Sequence, residues 1–331
     1  WISEGKEHFA NNLEEGKSYI LHEDLSPLGL NLANDIEFEV TYDKVNQKVK
    51  MIDTINEVSK VKEDGSLLKD AELTVVSNKT KQIVDRWTTG QHVFDVTEDM
   101  QSQIKADKKA EGMYIDEDDS TITYSISKNK DRDDYRLVFV KDGTTTYANI
   151  DLNGDETSHM IEGLIAGEEY FLRETKTPNG YATSKEQTFK VEENKDISLT
   201  LIDEDIKVQI SKQDITNKKE IEGAKLKVVD KDGNNIDEWT SGKEPHMIKN
   251  LNVGESYTLI EETAAQGYKI AESIDFKIED TGAIQHVVMY DEHLPVKVKT
   301  GDDNSYQYWI VSGLLSLAAL LIIRFKVKRE Q

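Results

Sequence analysis

A motif of five residues occurs three times in this chain with constant spacing. The three copies read HFANNLEEGKSYILHED, HMIEGLIAGEEYFLRET and HMIKNLNVGESYTLIEE, and they begin at His8, His159 and His246. In each copy a Leu, a Gly, a Tyr and a Glu follow the His at the same offsets, as in Leu251, Gly254, Tyr257 and Glu261 after His246. Agreement at five positions in three copies predicts an array of similar modules instead of one large core.

Each copy continues into a strand-like segment that carries an aspartate. The acid pairs, whose spacing is constant to within one position, are Glu23 with Asp53, Glu174 with Asp203, and Glu261 with Asp291. The second and third copies also have a first half, in which Lys60 precedes Trp87 by the same interval as Lys212 precedes Trp239. Residues 1–54 correspond to a second half only, so the sequence as given is expected to begin inside a module.

Short runs of alternating apolar and polar residues, separated by turn signals such as KDGN and NVGE, fill the modules. This pattern is typical of an all-β fold built from immunoglobulin-like β-sandwiches. We place a truncated module at 1–54, complete modules at 55–205 and 206–293, and a linker at 294–305.

The second module is longer than the third because of an insertion at about 95–150. Its segment DVTEDMQSQIKADKKAEG predicts a short helix with Asp95 as its cap and Gly112 at its end. TITYSIS and YRLVFVKDG, joined by a charged loop, predict a hairpin.

The C-terminal residues divide into an apolar segment and a basic tail. Residues 306–323 contain no charge, and these eighteen residues are just enough for a membrane-spanning helix. The tail, 324–331, has four cations and one glutamate, so the positive-inside rule places it in the cytoplasm. We therefore expect an extracellular protein that is anchored to the membrane or the cell wall.

Composition excludes several kinds of site. The net charge of −23 opposes nucleic-acid binding, which needs clustered cations. The chain has no cysteine, which removes disulfides, zinc–thiolate sites and a cysteine nucleophile. We predict no cofactor and no metal site, and we assign the repeated histidines a shared packing role.

Three ionisable residues of the last module lie two positions from apolar residues in their predicted strands, and therefore on the same, core-facing side. They are Lys212, Glu261 and Asp291. A buried charge must be paired, neutralised or consumed in a reaction. Burial turns a lysine into a nucleophile and protonates a glutamate. Attack of the lysine on the aspartate, with the glutamic acid polarising its C=O, would release water and leave an amide. A half-buried salt bridge is the alternative interpretation.

The segments YFLRETKTPNGY and YTLIEETAAQGY, with the leading ISK strand, resemble the E-box repeats of Gram-positive surface proteins. These are the CnaB-type, or SpaA-like prealbumin-fold, modules of adhesins and pilins. The resemblance implies intramolecular isopeptide bonds from lysine to asparagine or aspartate, assisted by the E-box glutamate. In the last module it implies a Lys212–Asp291 bond whose formation Glu261 assists. In the truncated first module it implies the acids Glu23 and Asp53, but the strand that would carry the lysine is missing from the sequence.

In the middle module the resemblance implies Glu174 and Asp203, but two lysines compete for the bond. Lys60 heads the better first half and is favoured. Lys128 is the alternative, because it would share one side of its strand with apolar residues. It also precedes Asp203 by nearly the interval that separates Lys212 from Asp291. In that case residues 56–120 would be a separate degenerate module.

The C-terminus is also similar to a sortase sorting signal of the LPxTG type. Residues 297–301 read KVKTG, in which Val298 replaces the expected proline. The resemblance implies acyl transfer at Thr300, with cleavage before Gly301. Retention by the apolar segment is the alternative.

We therefore expect a surface stalk, structural or adhesive, that is not an enzyme beyond a single-turnover amide formation in each module. Its expected partners are a sortase, peptidoglycan or membrane, and a host extracellular-matrix ligand. The alternative is a ligand-binding module array in which the insertion at 95–150 supplies the binding surface.

Overall fold

The computed structural model describes residues 1–295, except 4–5, 25, 27–29, 32, 43–46, 107, 117, 119, 131 and 162. This part of the chain is all-β apart from one short helix, which confirms the all-β part of the predicted fold class. No helix within it has the length and apolar character needed to cross a membrane. The predicted spanning segment at 306–323, the basic tail, Thr300 and Gly301 lie outside the described residues.

The N-terminal segment forms a two-stranded antiparallel hairpin. Its strands are β1 (Ser18–Leu21) and β2 (Ile36–Glu39), in a register that pairs Ser18 with Glu39. Both alternate between exposed and partly buried residues, as expected for strands with one solvent-facing side.

The middle module is a sandwich of two sheets. Its strands are β3 (Asn56–Lys62), β4 (Glu72–Ser77), β5 (Ile83–Thr88), β10 (Glu156–Met160), β11 (Glu169–Lys176), β12 (Gln187–Lys190) and β13 (Ile197–Asp203). One sheet has the order β12-β11-β4-β5, and the other begins β13-β3-β10. The first and last strands, β3 and β13, are parallel neighbours. Leu73, Leu172 and Leu201 lie in the core between the sheets.

The insertion lengthens the second of these sheets instead of forming a separate body. It consists of α1 (Glu98–Lys105), β6 (Ala110–Ile115), β7 (Thr121–Lys128), β8 (Tyr135–Lys141) and β9 (Thr144–Ile150). Because β9 pairs with β10, the full order is β13-β3-β10-β9-β8-β7-β6. The helix packs on one face of this extension, where Ile104, Ile126 and Leu137 are buried.

The bounds of α1 differ from the prediction. Thr97, not Asp95, is the N-cap, and its hydroxyl accepts the Met100 N–H at 3.4 Å. The helix ends at Lys105, whereas Gly112 lies within β6 opposite Tyr124. Tyr124 comes so close that a Cβ at position 112 would meet its hydroxyl at 2.9 Å, so the glycine makes room for a neighbouring side chain.

The third module repeats the sandwich without an insertion. Its strands are β14 (Lys207–Asp214), β15 (Lys225–Asp230), β16 (Asn235–Thr240), β17 (His246–Lys249), β18 (Ser256–Thr263), β19 (Ile274–Lys277) and β20 (Ile284–Asp291). The sheet orders are β17-β14-β20 and β16-β15-β18-β19, and β14 and β20 are again parallel. Val208, Leu226 and Leu259 are among its buried core residues.

Candidate functional site

In the third module, three ionisable side chains meet in the core. Lys212 lies on β14, Asp291 ends β20, and Glu261 lies on β18 of the facing sheet. The Lys212 ammonium donates to Asp291 Oδ1, and its Nζ lies 3.1 Å from Glu261 Oε1. The three side chains are no more than 1% exposed. The parallel pairing of the first and last strands therefore brings together residues that are 79 positions apart.

The middle module contains the same arrangement. Lys60 on β3 donates to Asp203 at the end of β13, and its Nζ lies 3.1 Å from Glu174 Oε2 on β11. All three side chains are 0% exposed. Lys128, the alternative partner, is exposed at the end of β7, and β3, β10, β9 and β8 separate it from β13. The structure thus contradicts the pairing of Lys128 with Asp203.

Each E-box glutamate is held by a backbone donor ten residues further along the chain. Glu261 Oε2 accepts the Ala271 N–H at 2.6 Å, and Glu174 Oε2 accepts the Ser184 N–H at 2.8 Å. Sequence reasoning did not single out these donors, although they follow the turn glycines at constant spacing. The bond fixes one oxygen of each carboxyl group.

Burial has a large effect on the aspartates. It raises the pKa of Asp203 to about 7, against the lowering effect of Lys60 and with a further increase from the adjacent Glu174. The pKa of Asp291 is raised for the same reasons, with Lys212 opposing and Glu261 reinforcing the effect of burial. For Asp203 a neutral carboxyl group is thus within reach at neutral pH, and only the neutral acid offers a good leaving group to an amine.

Orphan oxygens support a shared proton in both sites. They are Glu174 Oε1, Asp203 Oδ2 and Asp291 Oδ2, which have no hydrogen-bond partner among the described residues, and Glu261 Oε1, which forms no hydrogen bond there but lies 3.1 Å from Lys212 Nζ. Burial and the adjacent carboxyl group both favour the protonated form of each aspartate, whose pKa is raised. A proton between the two carboxyl groups would satisfy these oxygens and polarise the aspartate C=O.

The N-terminal segment holds the acids without the lysine. Glu23 Oε2 accepts the Ala33 N–H at 2.7 Å. The donor again lies ten residues after the glutamate, as it does for Glu174 and Glu261. Asp53 is half-buried, and burial raises its pKa. Among the described residues, neither acid forms an ion pair with a lysine. The described part of this site thus offers no amine for bond formation.

The repeated histidines stack on the tryptophans of their own modules. The ring centroids lie 4.3 Å apart for Trp1 and His8, 4.3 Å for Trp87 and His159, and 4.2 Å for Trp239 and His246. Within the described ranges no cluster of three ligating side chains could hold a metal ion. The stacks give these histidines a place in the packing of each module.

Replacing Asp85 by Asn should lower the pKa of His159. Burial lowers this pKa, but bonds to Asp85 and Glu156, at 3.0 and 3.1 Å, raise it to about 9. Because this exceeds the unfolded value of about 6.5, the stabilisation is complete below pH 6.5 and is lost as pH rises through 9. We expect the variant to titrate about one unit lower or more by NMR. An unchanged midpoint would contradict the assignment.

The sequence matches one protein family over both complete modules. The family is SpaA, described as a prealbumin-like fold domain, and the match covers residues 56–205 and 206–293. No curated protein matches the chain.

Several solved structures are similar to this chain, and two pilins are among them. The Bacillus anthracis TIE protein is 16% identical, with a TM-score of 0.30 over 79% of this chain, which spans only 36% of that protein. The shaft pilin SpaA from Lactobacillus rhamnosus GG is 11% identical, with a TM-score of 0.27 over 73% of this chain and 98% of that one. A streptococcal ancillary pilin is 17% identical, with a TM-score of 0.25 over 84% of this chain and 75% of its own.

Proposed function

The chain belongs to the family of SpaA prealbumin-like fold domains, and from that premise we propose that it is a structural stalk on a Gram-positive cell surface. The observation that carries this proposal is the pair of buried trios, each of which joins the first strand of a module to its last. In the proposal an amide bond forms between Lys60 and Asp203 and another between Lys212 and Asp291.

The chemistry of each bond follows from the geometry. The lysine gives up a proton to the neighbouring glutamate, which becomes the acid that polarises the aspartate C=O. The neutral Nζ attacks Cγ of the protonated aspartate, the N–C bond forms, and the C–O bond breaks as one water leaves. The water takes the acid proton and one amine proton, and the glutamate ends the reaction as the neutral acid, which holds the proton that the ammonium gave up, so the module is the only reactant.

The position of the bond determines how a module carries tension. Lys60 lies on β3 and Asp203 at the end of β13, 143 positions further along the chain. A pull on the two ends of the module would pass through the amide and bypass that intervening chain. The module could then be stretched without being unfolded.

The junction between the two modules also limits bending. Several polar contacts cross it, among them the Lys207–Glu63 ion pair at 2.5 Å, the Thr183 N–H bond to Asp280 at 2.8 Å, and the Asn250 amide bond to the Gly180 carbonyl at 3.3 Å. Ala182 packs in the core of the following module. Only residues 204–206 separate β13 from β14.

Single-molecule stretching tests the stalk directly. With both bonds in place, neither module should lengthen before the chain detaches. Lys60→Ala should release about 500 Å of contour, because 143 residues become extensible, and Lys212→Ala about 270 Å for its 79 residues. If the unmodified chain already unfolds with those lengths, the stalk is not covalently closed.

Anchoring through the C-terminus completes the proposal, and the sequence alone supports it. A sortase would join Thr300 to peptidoglycan after cleavage before Gly301, or the apolar segment at 306–323 would hold the chain in the membrane. Fractionation of cells separates these routes. Thr300→Ala should shift the protein from the wall to the membrane fraction if sortase acts, and should leave it in the membrane otherwise.

A second function, ligand binding by the insertion, is favoured by the outer edge of its sheet. Strand β6 has β7 on one side and no described strand on the other, and its Met113 and Ile115 are 70% and 71% exposed. Such an edge fits an extended segment of a host extracellular-matrix protein, which would add to it as a strand. Deleting residues 95–150 would abolish binding to host matrix in that case, and would leave it unchanged for a stalk alone.

A further inference from the structure

The two proposed bond-forming sites differ in a side chain that touches the reacting nitrogen. In the middle module the Ser184 hydroxyl lies 2.8 Å from Lys60 Nζ and 2.9 Å from Glu174 Oε2. In the third module the same position, ten residues after the glutamate, is Ala271. Resting on the proposed function, we propose that Ser184 slows amide formation in the middle module, so that the third module closes first.

The hydroxyl stabilises the charged forms of both groups that it contacts. Toward the Lys60 ammonium its oxygen is an acceptor, and toward the Glu174 carboxylate its O–H is a donor. The reaction needs the uncharged amine and the protonated glutamic acid, so these two bonds favour the unreactive pair. Ala271 provides only its backbone N–H to Glu261.

The same hydroxyl also hinders the neutral amine. Once Lys60 has lost its proton, the Ser184 O–H can donate to the nitrogen lone pair, which is the pair that must attack Asp203. Breaking that hydrogen bond then precedes the attack. In the third module the lone pair of the neutral Lys212 has no hydroxyl at this position.

Ser184 does not enter the balance of the reaction. The Nζ–Cγ bond forms, one Cγ–O bond of the aspartate breaks, and the released oxygen leaves as water with the acid proton and one amine proton. The serine keeps its own proton throughout, so its replacement changes the rate and not the product. A hydrogen bond to a charged group corresponds to at least about a tenfold change in rate.

Reciprocal substitution within one chain provides the test. The full chain is made by cell-free synthesis and quenched in denaturant at successive times, and the two cross-linked peptides are quantified by mass spectrometry. In the unmodified chain the Lys212–Asp291 cross-link should appear first. Ser184→Ala should accelerate the Lys60–Asp203 cross-link about tenfold and move its rate–pH profile to lower pH.

The converse change and a neighbouring control make the test specific. Ala271→Ser should slow the Lys212–Asp291 cross-link and move its rate–pH profile to higher pH, which keeps the proposal testable if Ser184→Ala fails to fold. Thr183→Ala removes an adjacent exposed hydroxyl, which bonds Thr177 at 2.8 Å, and should change neither rate.

Two results would overturn the inference in distinguishable ways. If both cross-links form but Ser184→Ala leaves the rate of the Lys60–Asp203 cross-link unchanged or lowers it, Ser184 does not slow the reaction, and the proposed function stands. If neither cross-link forms in the unmodified chain, the proposed function and this inference fail together.

Discussion

Lys212→Ala should lower the free energy of unfolding of the third module by about 4–5 kcal/mol. The proposed bond closes a loop of 79 residues, and a cross-link of that span removes about this much chain entropy from the unfolded state. The substitution also leaves Asp291 buried beside Glu261 without a cation, which adds to the loss. Denaturant unfolding, followed by the fluorescence of Trp239, measures the change.

Two further variants separate the cross-link from the charge. Lys212→Arg keeps a cation but cannot form the amide, so it should lose most of the same stability. Lys231→Ala removes an exposed lysine that lies 3.4 Å from Glu255, and such a surface change should stay within about 0.5 kcal/mol. Equal unfolding midpoints for Lys212→Ala and the unmodified chain would show that no bond constrains this module.

Glu261→Gln should prevent the Lys212–Asp291 bond while the Lys60–Asp203 bond still forms. Glutamine has the shape of the glutamic acid but cannot take the lysine proton, so the rate should fall by about 10²–10⁴. Peptide mapping by mass spectrometry after a fixed folding time gives the extent of each bond. The middle module acts as an internal standard in the same molecule.

Glu262→Gln is the matched control for this experiment. Glu262 adjoins Glu261 but points to solvent, where it lies 2.7 Å from Lys227. Its replacement should leave both bonds intact. Formation of the Lys212–Asp291 bond at an undiminished rate in Glu261→Gln would remove the glutamate from the mechanism.

The alternation of apolar and polar residues along a strand could predict which side chains face the core, but not which strands are neighbours in the sheet. Lys60 and Lys128 both lie two positions from apolar residues in their strands, so the sequence alone could not choose between them. The choice depends on sheet order, since β3 lies beside β13 and β7 lies four strands further away. Sheet order is a property of long-range pairing, which local alternation does not encode.

The repeats carried most of the information about the site. Constant spacing placed Lys212, Glu261 and Asp291 at equivalent points of a module, and the structure brings them together in the core. The contact of Ser184 with Lys60 was not predicted, because a serine after a turn has no distinctive pattern. The cap of α1 was also misplaced, because Asp95 and Thr97 are both good caps and only the hydrogen bond to Met100 decides between them.

The intact mass of the full chain, expressed without a sortase, tests the central claim most directly. The account predicts a mass lower than the sequence mass by two water molecules. Lys60→Ala and Lys212→Ala should each restore one of them, and the double variant should have its full sequence mass. An unmodified chain at its full sequence mass would mean that Lys60 and Lys212 form only buried salt bridges, and the covalent stalk would be refuted.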